Sequence, residues 1–170
     1  MEKIINKVTS GSLVSIDMDD WINFKSIVVF DFKDFLYQGL ILKERDFRLS
    51  LREINWTDYQ AKPVFLTCSA DAIIPVWAYM VVTSKLIGIA SDVDQGSQIE
   101  LEKFVVDIGL SKINWTDYQD AKVVIKGCGA LKARDYAFTK ITKYLTPYVS
   151  RLMYGEPCST VPVYKKPIKR

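Results

Sequence analysis

Three cysteines give this chain its widest chemical range, because a thiolate can ligate zinc, hold an iron–sulfur cluster, accept sulfur or attack an electrophile. Cys68 stands in Leu66-Thr67-Cys68-Ser69-Ala70-Asp71, and Cys128 in Lys126-Gly127-Cys128-Gly129-Ala130. Each run comes after a segment of strand character and opens one of helical character. In an open α/β sheet that is the edge where ligands bind, and a helix amino-terminus there favours the thiolate. If the two strands are neighbours, about 4.8 Å apart, their thiols could share a metal. Gly127 and Gly129 would let a ligand or another backbone come close. Cys158 lies in Gly155-Glu156-Pro157-Cys158-Ser159-Thr160-Val161-Pro162, an extended stretch that could fold back over the same edge. Three thiolates with Asp71, Glu156 or an external ligand would then suit zinc or an iron–sulfur cluster. Ser69, Lys126 and Ser159 are the polar neighbours of such a site. Against this stands the spacing, 60 and 30 residues with no Cys-x-x-Cys pair. Free cysteine is also a common inert core residue, and Ser69 or Asp71 would serve equally well as a helix cap.

The chain contains no histidine. That removes Ser-His-Asp and Cys-His nucleophile activation and the helical two-histidine zinc motif. If the chain is an enzyme, acid–base work falls to Asp, Glu, Lys, Tyr or a perturbed Cys, with Asp71, Lys126 or a reactive Cys128 as the candidates at this sheet edge, and a thiol of depressed pKa is then expected. The net charge of +3 comes from the end of the chain, where Lys165, Lys166, Lys169 and Arg170 cluster. A solvated basic tail over 163–170 accounts for it, and a nucleic-acid partner is disfavoured because such a binder carries its excess on a folded face. No export signal is visible in Met1 to Val14, and the longest apolar stretch, Ala72 to Val82, is too short to cross a bilayer. The expectation is a cytoplasmic protein with no membrane partner and no disulfide framework.

The elements that must position these residues come in two similar sets. Ile54-Asn55-Trp56-Thr57-Asp58-Tyr59-Gln60 recurs unchanged as Ile113-Asn114-Trp115-Thr116-Asp117-Tyr118-Gln119. Reading Asp120 as an insertion aligns Val64 with Val124 and Cys68 with Cys128; further on, Ala78 aligns with Ala137 and Leu86 with Leu145. The pattern predicts an internal duplication over about 43–90 and 98–154, each copy running helix, turn, strand, helix. Trp56 and Trp115 are read as core anchors of the turn. Ala72 to Leu86 is apolar almost all round, so it should be the most buried helix, with Pro75 in its first turn. Ala133 to Tyr154 should be a helix kinked or split at Pro147 and capped by Gly155. Ser12 to Met18 and Ile27 to Phe32 add strands, the latter central, and Leu86 to Val93 another short one. Alternating strands and helices predict a single α/β domain over 1–170, a mainly parallel or mixed sheet covered by helices.

The runs Met1 to Val8, Gly39 to Arg48, Thr67 to Pro75, Val124 to Cys128 and Gly155 to Pro162 resemble a bacterial domain-of-unknown-function family, number twenty-four eighty. The resemblance brings no activity or catalytic residue. It implies a setting beside genes for iron–sulfur cluster assembly, with assembly proteins as partners and Cys68, Cys128 and Cys158 as ligands or sulfur acceptors. The competing expectation is a non-catalytic regulatory or interaction module in which the thiols are filler. Its contact surface would be the mixed-charge helix from Lys43 to Arg52. A homo-oligomer joined through the apolar Ala72 to Leu86 helix fits either reading.

Overall fold

A computed structural model of the chain describes residues 13–127, 129 and 131–167. It has the expected α/β character, but one sheet becomes two, in two compact units. Residues 23–105 form an inserted unit; residues 1–22 and 106–170 form a split unit.

The sheet of the inserted unit pairs β2 (Val28–Asp31), β3 (Pro63–Thr67) and β4 (Asp92–Gln95) in that order, all parallel. The helices α1 (Glu44–Glu53) and α2 (Val76–Leu86) provide the two crossovers. The strand β2, expected at the centre, is therefore an edge, and β3, whose Val64-Phe65-Leu66 is fully buried, takes the middle. The core gathers Phe30, Phe32, Phe47, Leu51, Val64 and Leu66 with the inner face of α2: Ala78, Val82 and Leu86.

In the split unit, β1 (Leu13–Asp17), β5 (Lys122–Lys126) and β6 (Arg151–Glu156) are parallel, and β7 (Ser159–Lys165) closes antiparallel on β6. The helix α3 (Gln98–Ser111) leads into this unit and α4 (Arg134–Leu145) links β5 to β6. Ala137, Ile141 and Leu145 of α4 pack with Ile16, Val123, Ile125 and Leu152. Gly109 in α3 has a steric reason: a Cβ there would collide with the Trp21 carbonyl.

The helix expected over 133–154 ends at Leu145, two residues before Pro147: Thr146 is its C-cap, still at helical angles, and Pro147 has no N–H with which to carry the ladder on. The chain then enters β6, so Gly155 is a strand residue rather than a helix cap, at φ 115° beside the Ser159 carbonyl. The basic end, as far as it is described, is not a loose tail. Residues to Lys165 belong to β7, and Lys166 reaches Asp120 at 2.7 Å; residues 168–170 lie outside the described set.

The two units repeat one geometry without a gap. Ala61 and Asp120 both adopt positive φ, 56° and 58°, and donate their amides to Ile89 and Tyr148 at 2.8 Å. Asp120 is thus the counterpart of Ala61, not an insertion. Pro63 pairs with Asp92 as Lys122 pairs with Arg151. The identical turn residues have a local reason. Asn55 Oδ1 accepts from the Thr57 hydroxyl at 2.7 Å while its amide donates to Asp58 at 3.0 Å; Asn114 does the same with Thr116 and Asp117, each at 2.8 Å. The turn tryptophans serve as anchors, Trp56 stacking on Phe30 and Trp115 on Tyr144.

Candidate functional site

Parallel strands in register bring their last residues to one edge, so each sheet has a carboxyl rim built by its own sequence. In the split unit that rim carries Asp17, Lys126 and Glu156. Lys126 Nζ lies 3.7 Å from Asp17 and 3.4 Å from Glu156. The hydrogen bond and charge of Glu156, with a smaller contribution from Asp17, hold the Lys126 ammonium above its ordinary value. An ammonium so held is in the wrong protonation state for a base or nucleophile near neutral pH. Gly127 comes next at φ 91°, where a Cβ would collide with the Asp17 carboxylate; the close approach foreseen at this glycine is made by Asp17. Gly129 is exposed with open space around it. Cys158 is exposed at the turn between β6 and β7, flanked by the register partners Glu156 and Ser159, both exposed. Cys128 and Ala130 lie outside the described residues.

In the inserted unit the rim is organised by Asp31. Its Oδ1 accepts from the amides of Lys33 and Ser69, each at 3.0 Å, and Lys33 Nζ lies 3.5 Å from its other oxygen. Burial pushes this carboxyl up, but the bonds from Ser69 and Lys33 outweigh that and hold it below its ordinary value of 3.8. Thr67 donates to the Gly96 carbonyl at 2.8 Å. Cys68 is half-buried on the margin of the core, its thiol donating to the Ala70 carbonyl at 3.5 Å. Ser69 and Asp71 are exposed in the loop beyond it.

Two expectations change here. The helix after Cys68 begins at Val76, with Pro75 as its N-cap and no side-chain cap, so neither Ser69 nor Asp71 caps it and Cys68 does not sit at a helix start. The gapless correspondence between units also moves the alignment by one residue. Thr67 matches Lys126, and Cys68 matches Gly127; Cys128 falls opposite Ser69. The two thiols are therefore not equivalent positions of one repeated site. Among the described residues, no three His, Cys, Asp or Glu side chains gather where a metal ion could be held.

Two further polar and apolar clusters belong to the split unit. Asp107 of α3 accepts from the Tyr136 hydroxyl at 2.5 Å, and Lys140 lies 3.1 Å from its other oxygen. That oxygen has the ammonium as a charge partner and no hydrogen-bond donor. Burial first, then Asp107, raises the Tyr136 hydroxyl, and the hydrogen bonds of the cluster raise Lys140. Both groups are thereby held protonated, as a clamp between α3 and α4. Beside α4, an open cleft of about 380 Å³ is bounded by Phe138, Leu152, Tyr154 and Val163, with Arg134 donating to the Tyr154 hydroxyl at 2.9 Å.

The surface that sequence reading misjudged is α2. Expected to be the most buried helix, it buries Ala78, Val82 and Leu86 and leaves an apolar stripe in solvent. Ile73 is 92% exposed, Val76 76%, Met80 67% and Ile87 70%. Val76 and Met80, four residues apart, share one face of α2, while Ile73 lies in the segment before the helix and Ile87 is its C-cap. The signal was present in the repeat. The counterparts of these four on α4 and its flanks are Lys132, Asp135, Thr139 and Thr146, all polar.

Among the described residues, no helix is long and apolar enough to cross a membrane. No curated protein and no solved structure matches the chain. The model of a family described as protein of unknown function (DUF2480) matches residues 2–166, nearly the whole length, and the chain belongs to that family.

Proposed function

We propose that this protein is a non-catalytic interaction module of the cytoplasm, and that it presents the outer face of α2 to a protein partner. The observation that carries the reading is the contrast between α2 and α4. Both helices bury the same inner row, Ala78, Val82 and Leu86 against Ala137, Ile141 and Leu145, all at 0% exposure. The fold thus uses the inner row and is indifferent to the outer one. On α4 the outer positions are polar, as solvent would select; on α2 they are large and apolar. Apolar surface in water costs about 25 cal/mol per Å² relative to burial, and a contiguous patch on a soluble protein marks a contact site. The α1 surface from Lys43 to Arg52 is a weaker candidate, because part of its charge is already engaged internally: Glu44 pairs with Arg48 at 2.8 Å and Lys43 lies over the Tyr37 ring.

A photo-crosslinking residue placed at Ser84, on the same face as Met80, tests this in living cells. The expected result is a discrete crosslinked species that disappears when Met80→Glu is added and persists when Cys68, Cys128 and Cys158 are all changed to alanine. A crosslink lost with the cysteines but indifferent to Met80→Glu would replace the reading with the thiol-centred one. The iron–sulfur assembly setting implied by the family resemblance would be supported in addition if the species proved to contain an assembly protein.

A further inference from the structure

Apart from the α2 face, we propose that the sheet of the split unit binds an amphipathic phosphate, a small soluble molecule with a phosphate-bearing head and a hydrocarbon body. The head lies on a row of three cations and the body in the groove beside it. Strand register builds the row. Lys122 is opposite Arg151 and Arg151 is opposite Lys165, so the three side chains leave one face of the sheet from adjacent strands, about 4.8 Å apart. All three are exposed, and among the described residues none of them forms an ion pair. Like charges set directly opposite one another cost a sheet stability. The repeat shows that the fold does not need them there. At the matching row of the inserted unit Pro63 faces Asp92, and that sheet ends at β4. Cations gathered against their own repulsion, with no carboxylate of the chain to relieve them, complement an anion from outside.

The groove decides what else the ligand carries. Met153 stands two residues beyond Arg151, on the same face of β6, and opposite Pro162. Between Leu152 and Met153 the register slips by one residue, which leaves Val163 without a partner across the strands; bulges of this kind collect beside binding sites. Met153, Pro162 and Val163 line an open groove of about 330 Å³ that Arg151 and Lys165 also line. Charge and apolar floor are therefore contiguous. Three cations spread over roughly 10 Å suit one compact head, because a terminal phosphate alone brings about 1.5 to 2 negative charges. The three floor residues have no strong hydrogen-bonding side chain, so a hydrocarbon body suits them better than a nucleoside with polar edges to satisfy. The lining's one ring, Tyr164, packs against the core and gives a base little to stack on. A bilayer fits less well, since the floor is a recess with Met153 half-buried in it rather than a projection that could enter lipid.

Calorimetric titration of the full chain with geranyl diphosphate at low salt tests the site, with inorganic pyrophosphate, a single-stranded oligonucleotide and anionic phospholipid vesicles titrated in parallel. The expected Kd for geranyl diphosphate is on the order of 100 μM, weakening as salt is added. Arg151→Gln and Lys165→Gln should each weaken it by about 10-fold, whereas Lys85→Gln, which removes an equal charge from α2, should leave it unchanged. Relieved of repulsion, the first two variants should also unfold at the natural chain's midpoint or slightly above it. Midpoints that fall in both would mean that the row supports the sheet, and overturn its role as a site. Absent binding, or binding indifferent to both substitutions, overturns it as well. Pyrophosphate bound as tightly as geranyl diphosphate removes the groove from the proposal and with it the hydrocarbon body. Vesicles or the oligonucleotide bound in an Arg151-dependent way, with geranyl diphosphate ignored, replace the small ligand with a lipid surface or a nucleic acid.

Discussion

Asp31 does at the scale of one residue what a helix cap does for a whole element. It ends a strand, turns the chain by accepting from Lys33, and ties down the next strand's loop by accepting from Ser69. Replacing it with alanine removes these bonds from a half-buried site, and a loss of about 1–2 kcal/mol is expected at neutral pH. The direction of its shift sets the pH dependence. A carboxyl held below its ordinary value of 3.8 contributes stability above that value and loses the contribution as pH falls through the lower, folded one. Denaturant titrations of the natural chain and Asp31→Ala should therefore differ most near neutrality and converge below about pH 4. A gap that stays constant into acid would show that the carboxylate's charge plays no part. Asp17 holds the matching place in the split unit, with Lys126 as its cation. Strand-final aspartates were invisible to a reading centred on thiols, because an isolated Asp in a sequence gives no hint of which later loop will donate to it.

Among the elements, α2 and α4 form a controlled comparison made within one molecule. Leu86→Ala and Leu145→Ala each open a cavity in a dry core and should each cost about 2–5 kcal/mol. Met80→Glu, on the outside of α2, should leave stability within about 0.5 kcal/mol; thermal unfolding of the three variants beside the natural chain checks this. A destabilised Met80→Glu variant would mean that the side chain is buried after all. Much at this scale was legible beforehand. The runs Ser12 to Met18 and Ile27 to Phe32 located β1 and β2 to within a residue, and the repeated turn marked where β3 and β5 begin. The failures have identifiable reasons. An all-apolar helix looks buried by composition, whether it is covered by its own chain or by another. The segment 151–154 looks helical in the sequence because Leu152 continues the apolar spacing of α4, although the helix ends before Pro147. The pairing of Cys68 with Cys128 came from sliding the alignment by one residue to match two cysteines. Strand register contradicts that slide, since it sets Gly127 where Cys68 should be.

For the whole molecule, the informative feature is the order in which partners occur along the chain. Every strand of the inserted unit finds its neighbours within residues 28–95, whereas Ser15 must wait for Val124. Contacts between residues far apart in sequence close slowly, because the intervening chain must first be restrained. Pulse-labelled hydrogen exchange during refolding should accordingly protect the amides of β2, β3 and β4 before those of β1 and β5. Simultaneous protection of both sets would show that the two sheets form in one step. In a cell the same arrangement has a cost in time. The strand β1 leaves the ribosome ahead of the other six and is mated among the last. Throughout that interval its backbone donors and acceptors are open to any stray strand that passes.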